Sequence, residues 1–130
     1  MKPAYIYAAL VVLVVGGLVA LKQFGGTSNA ADMAPYDDFA QCLTDHGVKF
    51  FGAYWCPHCQ AQKRLFHNSK KLPYIECSTP DGQSQTQICI DNKITGYPTW
   101  EFADGSRLDG EQTFEDLGAK ADCPVPQAAT

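Results

Sequence analysis

The sequence predicts an α/β domain, a central mixed sheet flanked by helices, carried behind one N-terminal transmembrane helix. Three observations predict it. The run from Ala4 to Leu21 carries no charge and lies between Lys2 and Lys22. Val48 to Trp55 is almost wholly apolar and aromatic and passes into a helix-forming stretch, as a strand buried on both faces and feeding a helix would. Downstream, a short strand signal, a helix signal, a hairpin signal and a last helix signal follow in order.

The apolar run is close to the length at which a helix crosses a bilayer. It is longer than the apolar region of a secretory signal, about 7–15 residues, so an uncleaved anchor over residues 1–22 is favoured over a cleaved signal. The remaining chain is too small to bury such a helix in its own core. Lys2 and the amino terminus set the expected orientation, N-terminus inside and domain outside. Either fate exports the globular part: to the periplasmic or other extracytoplasmic side, on a single-pass anchor or as a secreted domain. Gly25-Gly26-Thr27-Ser28-Asn29-Ala30 is small and polar, and residues 23–34 are expected to form a flexible linker.

One domain is expected over residues 35–123. Tyr36, Phe39, Ala40 and Leu43 recur at helical spacing behind Pro35, and Gly47 closes the stretch, predicting a first helix over 35–46. The apolar run Val48–Trp55 then forms the central strand. Gln60 to His67 contains good helix formers, with Lys63 and Arg64 late, where they suit the helix dipole. Tyr74-Ile75-Glu76-Cys77 predicts a second strand, and a polar loop leads to a helix around 83–92. Thr99-Trp100-Glu101-Phe102, then Asp104-Gly105, then a run to Leu108 predict a hairpin. Thr113 with Asp116 three residues on starts a last helix. Residues 124–130 are expected to form a loose tail.

Composition narrows the chemistry. The formal net charge is -4, with no basic stripe, which argues against a nucleic-acid partner. Six cysteines in 130 residues suit an oxidising compartment and make disulfide or metal chemistry the first expectation.

Cys56-Pro57-His58-Cys59 lies at the junction of the buried strand and its helix. Cys56 is expected at the cap and Pro57 at the first helical position, where a missing N–H costs nothing. Cys59, three residues on, shares the helix face, so its sulfur can reach that of Cys56. The open N–H groups and positive end of the dipole favour a thiolate at Cys56, and a protonated His58 would push the same way. This predicts thiol–disulfide exchange with Cys56 attacking and Cys59 resolving, and it requires no metal or organic cofactor. A structural zinc site needs four ligands, and Cys77 and Cys89 are separated by far more than the usual spacing of about two to four residues. Haem attachment needs His after the second cysteine, where Gln60 stands. An inert disulfide is the bland alternative.

These residues are similar to the thioredoxin superfamily: Phe51-Gly52-Ala53-Tyr54-Trp55-Cys56-Pro57-His58-Cys59 resembles its active-site strand, and Gly96-Tyr97-Pro98-Thr99 resembles its cis-proline loop. The resemblance implies that Tyr97 and Pro98 contact substrate opposite the cysteines. The Pro-His dipeptide is that of DsbA-type periplasmic oxidases, but no large helical insertion separates Cys59 from Pro98. Gly47 to Cys59, Pro73 to Cys77 and Gly96 to Glu101 resemble more closely the thioredoxin-like domain fused to, or partnering, bacterial vitamin K epoxide reductase homologues. That likeness implies electron flow from exported protein thiols through Cys56 and Cys59 to a membrane quinone reductase, here a separate chain. One departure stands out: six residues before Cys56, where thioredoxins carry a buried Asp or Glu that helps deprotonate the resolving cysteine, this chain has Phe50. The direction of electron flow is therefore open, and an envelope reductase is the alternative within the same chemistry.

The remaining cysteines allow three pairings. Cys77 with Cys89 is preferred, joining a strand end to the next helix; Cys42 with Cys123 would then bridge the first helix to the chain end. A second redox pair and free buried thiols are the alternatives. His46 and His67 are expected near helix ends, in capping or solvated roles rather than as metal ligands. Trp100 is expected in the core, whereas Trp55, beside Cys56, suits substrate contact and packing equally.

Overall fold

The computed structural model describes residues 30–127. The expected membrane run, and the linker up to Asn29, lie outside the described residues. Among the described residues no helix is long and apolar enough to cross a membrane.

Among the described residues, four helices and four strands follow in chain order: α1 (Ala30–Asp45), β1 (Lys49–Gly52), α2 (Pro57–Leu65), β2 (Tyr74–Glu76), α3 (Gln87–Asp91), β3 (Thr99–Glu101), β4 (Arg107–Asp109) and α4 (Phe114–Ala121). The sheet runs β2-β1-β3-β4. β1 is parallel to β2, pairing Phe50 with Tyr74 and Gly52 with Glu76, and antiparallel to β3, pairing Phe50 with Trp100. Its inner place explains why it reads as a nearly continuous apolar run. Phe50 and Phe51, adjacent and therefore on opposite faces, enter separate cores. Phe50 packs with Phe39 and Leu43 of α1, Cys59 and Phe66 next to or on α2, Trp100, and Leu117 of α4. Phe51 packs with Cys77, Cys89 and Ile94 beneath α3. Phe50 lies flat on Trp100, with ring centroids 4.4 Å apart.

Several expected boundaries move. α1 starts at Ala30 rather than at Pro35, which sits inside the helix; the end of the expected linker, rich in Ala, continues the helix upstream at the loss of one backbone hydrogen bond. β1 ends at Gly52, and a turn over Tyr54 and Trp55 separates it from α2, so strand does not run directly into helix. The helix expected over 83–92 shrinks to Gln87–Asp91. Its first residues are committed elsewhere: Gln85 bridges to Ser78, and the Thr86 N–H donates to the Cys77 carbonyl at 2.8 Å. Beyond Cys123, Val125 is half-buried against α4, where a Cβ on Gly118 would lie 2.9 Å from Val125 Cγ2. The hairpin β3–β4 turns through Gly105 at φ 80°, a conformation glycine adopts without strain. Thr113 caps α4, its hydroxyl accepting from the Asp116 N–H at 3.1 Å and donating to the Asp116 carboxylate at 2.7 Å.

Candidate active site

Cys56 is the N-cap of α2 and Pro57 its first residue; the Cys56 side chain makes no capping hydrogen bond, which leaves first-turn N–H groups open beside its sulfur. Both cysteines are free thiols and both are buried, Cys59 completely and Cys56 to 6% exposure. Opposite them the Tyr97–Pro98 peptide is cis. The Cys56 thiol donates to the Tyr97 carbonyl at 3.8 Å, so the sulfur faces the loop that the sequence singled out. Pro98 is buried, and its carbonyl accepts from the Gly110 N–H at 2.8 Å.

Gly52 makes the pocket for Cys59. A Cβ there would lie 2.8 Å from Cys59 Sγ and 2.8 Å from Tyr74 Cε2, so only glycine lets the thiol and the Tyr74 ring meet over the strand. Burial pushes the Cys59 thiol up from an ordinary 9.0 to about 12; a backbone hydrogen bond with Ala53 and the Lys63 charge oppose the rise, and neighbouring Cys56 adds to it.

Trp55 is half-exposed, held by its indole N–H donating to Ser78 Oγ at 2.9 Å and by an edge contact with Tyr97, centroids 6.0 Å apart. Gln85 fixes Tyr97 in turn, donating to its hydroxyl at 2.8 Å. The neighbouring Tyr54 hydroxyl donates to the Pro80 carbonyl at 3.1 Å. Trp55 thus presents an open aromatic face beside Cys56 while its polar edge is anchored, whereas Trp100 is wholly buried. His58 Nδ1 pairs with Glu111 Oε1 at 2.6 Å, with both side chains exposed.

The other four cysteines form disulfides, Cys42–Cys123 with Cα atoms 5.9 Å apart and Cys77–Cys89 with Cα atoms 5.5 Å apart. The ligating atoms of Cys42, His46 and Cys123 lie within 4.8 Å of one another, but both sulfurs are committed to a bond and offer no thiolate. His46 Nδ1 contacts the Ala121 carbonyl, and His67 stacks on Tyr36 with centroids 4.2 Å apart.

Sequence reasoning missed four contributors. Gln62 is buried and exchanges two hydrogen bonds with the Gln112 backbone, 3.0 and 2.7 Å, locking α2 to the segment before α4. Tyr74 and Lys63 act on Cys59, and Glu76 holds Tyr74. The Tyr74 hydroxyl donates to Glu76 Oε2 at 2.8 Å, and Lys63 Nζ stands 3.2 Å from the Tyr74 ring centroid. Lys63 was legible as the residue one helical turn beyond Cys59. Glu76 was not, because its place depends on which strand pairs with β1.

No family model matches the chain. Thiol-disulfide oxidoreductase LTO1 of Arabidopsis thaliana is 37% identical over 109 residues, taking in 78% of this chain and 28% of the relative. Thioredoxin domain-containing protein 5 homolog of Drosophila melanogaster is 28% identical over 123 residues, taking in 78% of this chain and 29% of the relative. The chain therefore spans under a third of the length of either protein. The two likenesses, with the mixed sheet flanked by helices, support a thioredoxin-superfamily relationship.

Proposed function

We propose, proceeding from that thioredoxin-superfamily relationship, that the chain is a protein thiol–disulfide oxidoreductase working through a reversible Cys56–Cys59 disulfide. One observation carries the reading. Of the six cysteines, four are paired, and the two left as thiols sit one helical turn apart at the start of α2, with the Cys56 sulfur against the Tyr97 carbonyl.

In the oxidising direction a substrate thiolate attacks Cys56 of the Cys56–Cys59 disulfide, forming a mixed disulfide and releasing the Cys59 sulfur. A second substrate thiolate then attacks the substrate sulfur of the mixed disulfide, releasing Cys56 and leaving the substrate oxidised by two electrons. In the reducing direction Cys56 attacks a substrate disulfide, and Cys59 resolves the mixed disulfide. The bend before Pro98 offers backbone to a bound peptide, and the exposed face of Trp55 offers apolar contact next to the reacting sulfur.

The finer reading is a domain held outside a membrane by the Ala4–Leu21 run, oxidising exported proteins and passing their electrons to a membrane quinone reductase of the vitamin K epoxide reductase type. Its support is the charge-free N-terminal run, the two structural disulfides, which suit an oxidising compartment, and the likeness of the CPHC segment. Replacing Cys59 by Ser tests the enzyme: mixed disulfides should accumulate through Cys56 in cells. An absence of trapped partners together with stoichiometric zinc would instead point to a binding module. The redox state of the pair, with and without a quinone-linked oxidase, tests direction; a pair that stays reduced in oxidase-competent cells refutes the oxidising role.

A further inference from the structure

The resolving cysteine poses a problem. To attack Cys56 it must lose its proton, yet it is wholly buried, and Phe50, six residues before Cys56, is stacked on Trp100 and supplies no base. We infer that Lys63 is the positioning residue for this step, its ammonium held over the Tyr74 ring one helical turn from Cys59 so that it stabilises the Cys59 thiolate in place of a buried base. The inference rests on the exchange chemistry proposed above.

Four observations converge on it. Cys59 and Lys63 are four residues apart on α2 and so share a face. Both meet the same ring: Lys63 Nζ lies 3.2 Å from the Tyr74 centroid, and the Cys59 sulfur and Tyr74 Cε2 crowd the same point above Gly52. Other basic groups near the sheet form salt bridges, Lys49 and Arg107 with Glu101 and His58 with Glu111, whereas Lys63 forms no such close pair among the described residues and its charge acts on Glu76 and Cys59. The charged and titratable groups acting on Cys59 are Cys56 and Lys63 from α2 and Tyr74 from β2, while Glu76 acts on Tyr74 and Lys63. Of these only Lys63 favours the thiolate, and its charge already opposes the burial that holds the Cys59 thiol up.

Glu76 serves this arrangement as an anchor rather than a base. Its carboxylate accepts from the Tyr54 and Ser78 N–H groups, at 3.1 and 2.9 Å, and from the Tyr74 hydroxyl, and so fixes the ring on which Lys63 rests. In the resolving step the Cys59 proton passes to water, the thiolate attacks Cys56, the Cys56–Cys59 bond forms, and the bond from Cys56 to the substrate sulfur breaks. The departing thiolate carries the electron pair, so the dithiol is oxidised by two electrons and the substrate reduced by two.

The test follows the full chain, reduced at Cys56 and Cys59, reacting with a chromogenic aromatic disulfide such as dithiobis-nitrobenzoate. The first thiolate released reports attack by Cys56, and the second reports resolution by Cys59. Wild type should show both phases and Cys59→Ser only the first. Lys63→Met should slow the second phase by about tenfold at neutral pH and displace its pH profile upward, the direction expected for removing a nearby opposite charge, with the first phase unchanged. Lys63→Arg should restore the profile. A Lys63→Met profile superimposable on wild type, or a Lys63→Arg profile displaced as far as that of Lys63→Met, overturns the inference while leaving the exchange chemistry intact. A wild type that releases no second thiolate overturns the exchange reading itself.

Discussion

Replacing Gly52 by alanine should disable the second sulfur while sparing the first. The added methyl would lie 2.8 Å from Cys59 Sγ, 2.8 Å from Tyr74 Cε2 and 3.3 Å from Cys59 Cβ, and the first two separations are too short to persist. Neither neighbour yields easily. The Tyr74 ring is tied to Glu76 by its hydroxyl and capped by Lys63, and Cys59 is fixed on a helix whose partner residue Gln62 is bonded twice to Gln112. Overpacking of this kind costs about 1–3 kcal/mol, which in a urea titration lowers the midpoint by about 1 M. The larger effect is kinetic. A displacement of about 1 Å at a reacting atom costs on the order of 100-fold in rate, and the atom displaced is the resolving sulfur. Gly52→Ala should therefore form mixed disulfides at Cys56 at nearly the wild-type rate and resolve them about 100-fold more slowly, behaving like a leaky Cys59→Ser. The assay is the decay of a preformed mixed disulfide, followed beside the urea midpoint of the same preparation. Wild-type resolution with an unchanged midpoint would refute the reasoning, since it would mean that the strand leaves room the geometry denies.

Further outcomes follow from the same contacts. Removing the Cys42–Cys123 bond, whose partners are 81 residues apart, should cost about 4.5 kcal/mol in the chain-entropy account, against about 3 kcal/mol for Cys77–Cys89 at a separation of 12; urea titration of the two double Ser variants checks the order. Because the Cys59 thiol is raised by burial from 9.0 to about 12, the reduced protein keeps its proton-linked stability below pH 9 and loses it as pH rises toward 12. The oxidised protein has no such thiol, so the stability difference between the two forms should shift toward the oxidised form over that window, and Cys59→Ser should abolish the extra alkaline loss. Thr113→Ala, deleting the hydroxyl that caps α4, should cost about 1 kcal/mol in thermal or urea unfolding with no change in thiol reactivity.

What could be read from the sequence was whatever local spacing determines. The Cys56 cap, Pro57 at the helix start, the capping pair Thr113 and Asp116 and the turn at Gly105 each depend on residues within a few positions of one another, and each lies where it was expected. β1 was legible for a second reason: an inner strand has no wet face, so Phe50 and Phe51 both had to be apolar. Boundaries set by tertiary contacts were not legible. Gln83 to Thr86 have helix-compatible side chains, yet Gln85 and Thr86 are drawn into hydrogen bonds with Tyr97, Ile94 and the Cys77 and Glu76 carbonyls, which shortens α3 to a little over one turn. Pro35 misled because a proline reads as a helix start and here stands inside a helix. The site shows the same division. The two cysteines and the segment before Pro98 announce themselves by motif, while Tyr74, held by Glu76, reaches Cys59 only through the parallel register of β2 on β1, which no local pattern encodes. The His58 pair with Glu111 was not legible for the same reason, since the two residues lie 53 positions apart.

The loop between Cys77 and Cys89 links the structural and reactive cysteines. It supplies the Ser78 hydroxyl that holds Trp55, the Pro80 carbonyl that holds Tyr54 and the Gln85 amide that holds Tyr97, so the aromatic surface around Cys56 is built from one segment whose two ends are joined covalently. A polar loop with little apolar burial would otherwise order itself at a full entropic cost; the disulfide removes part of that cost in advance by restricting the unfolded chain. Both its sulfurs are wholly buried on the Phe51 side of the sheet, whereas Cys56 retains a trace of exposure on the other. Burial therefore does what sequence spacing alone does not: it keeps the bond that shapes the site out of reach of the thiols that the site exchanges.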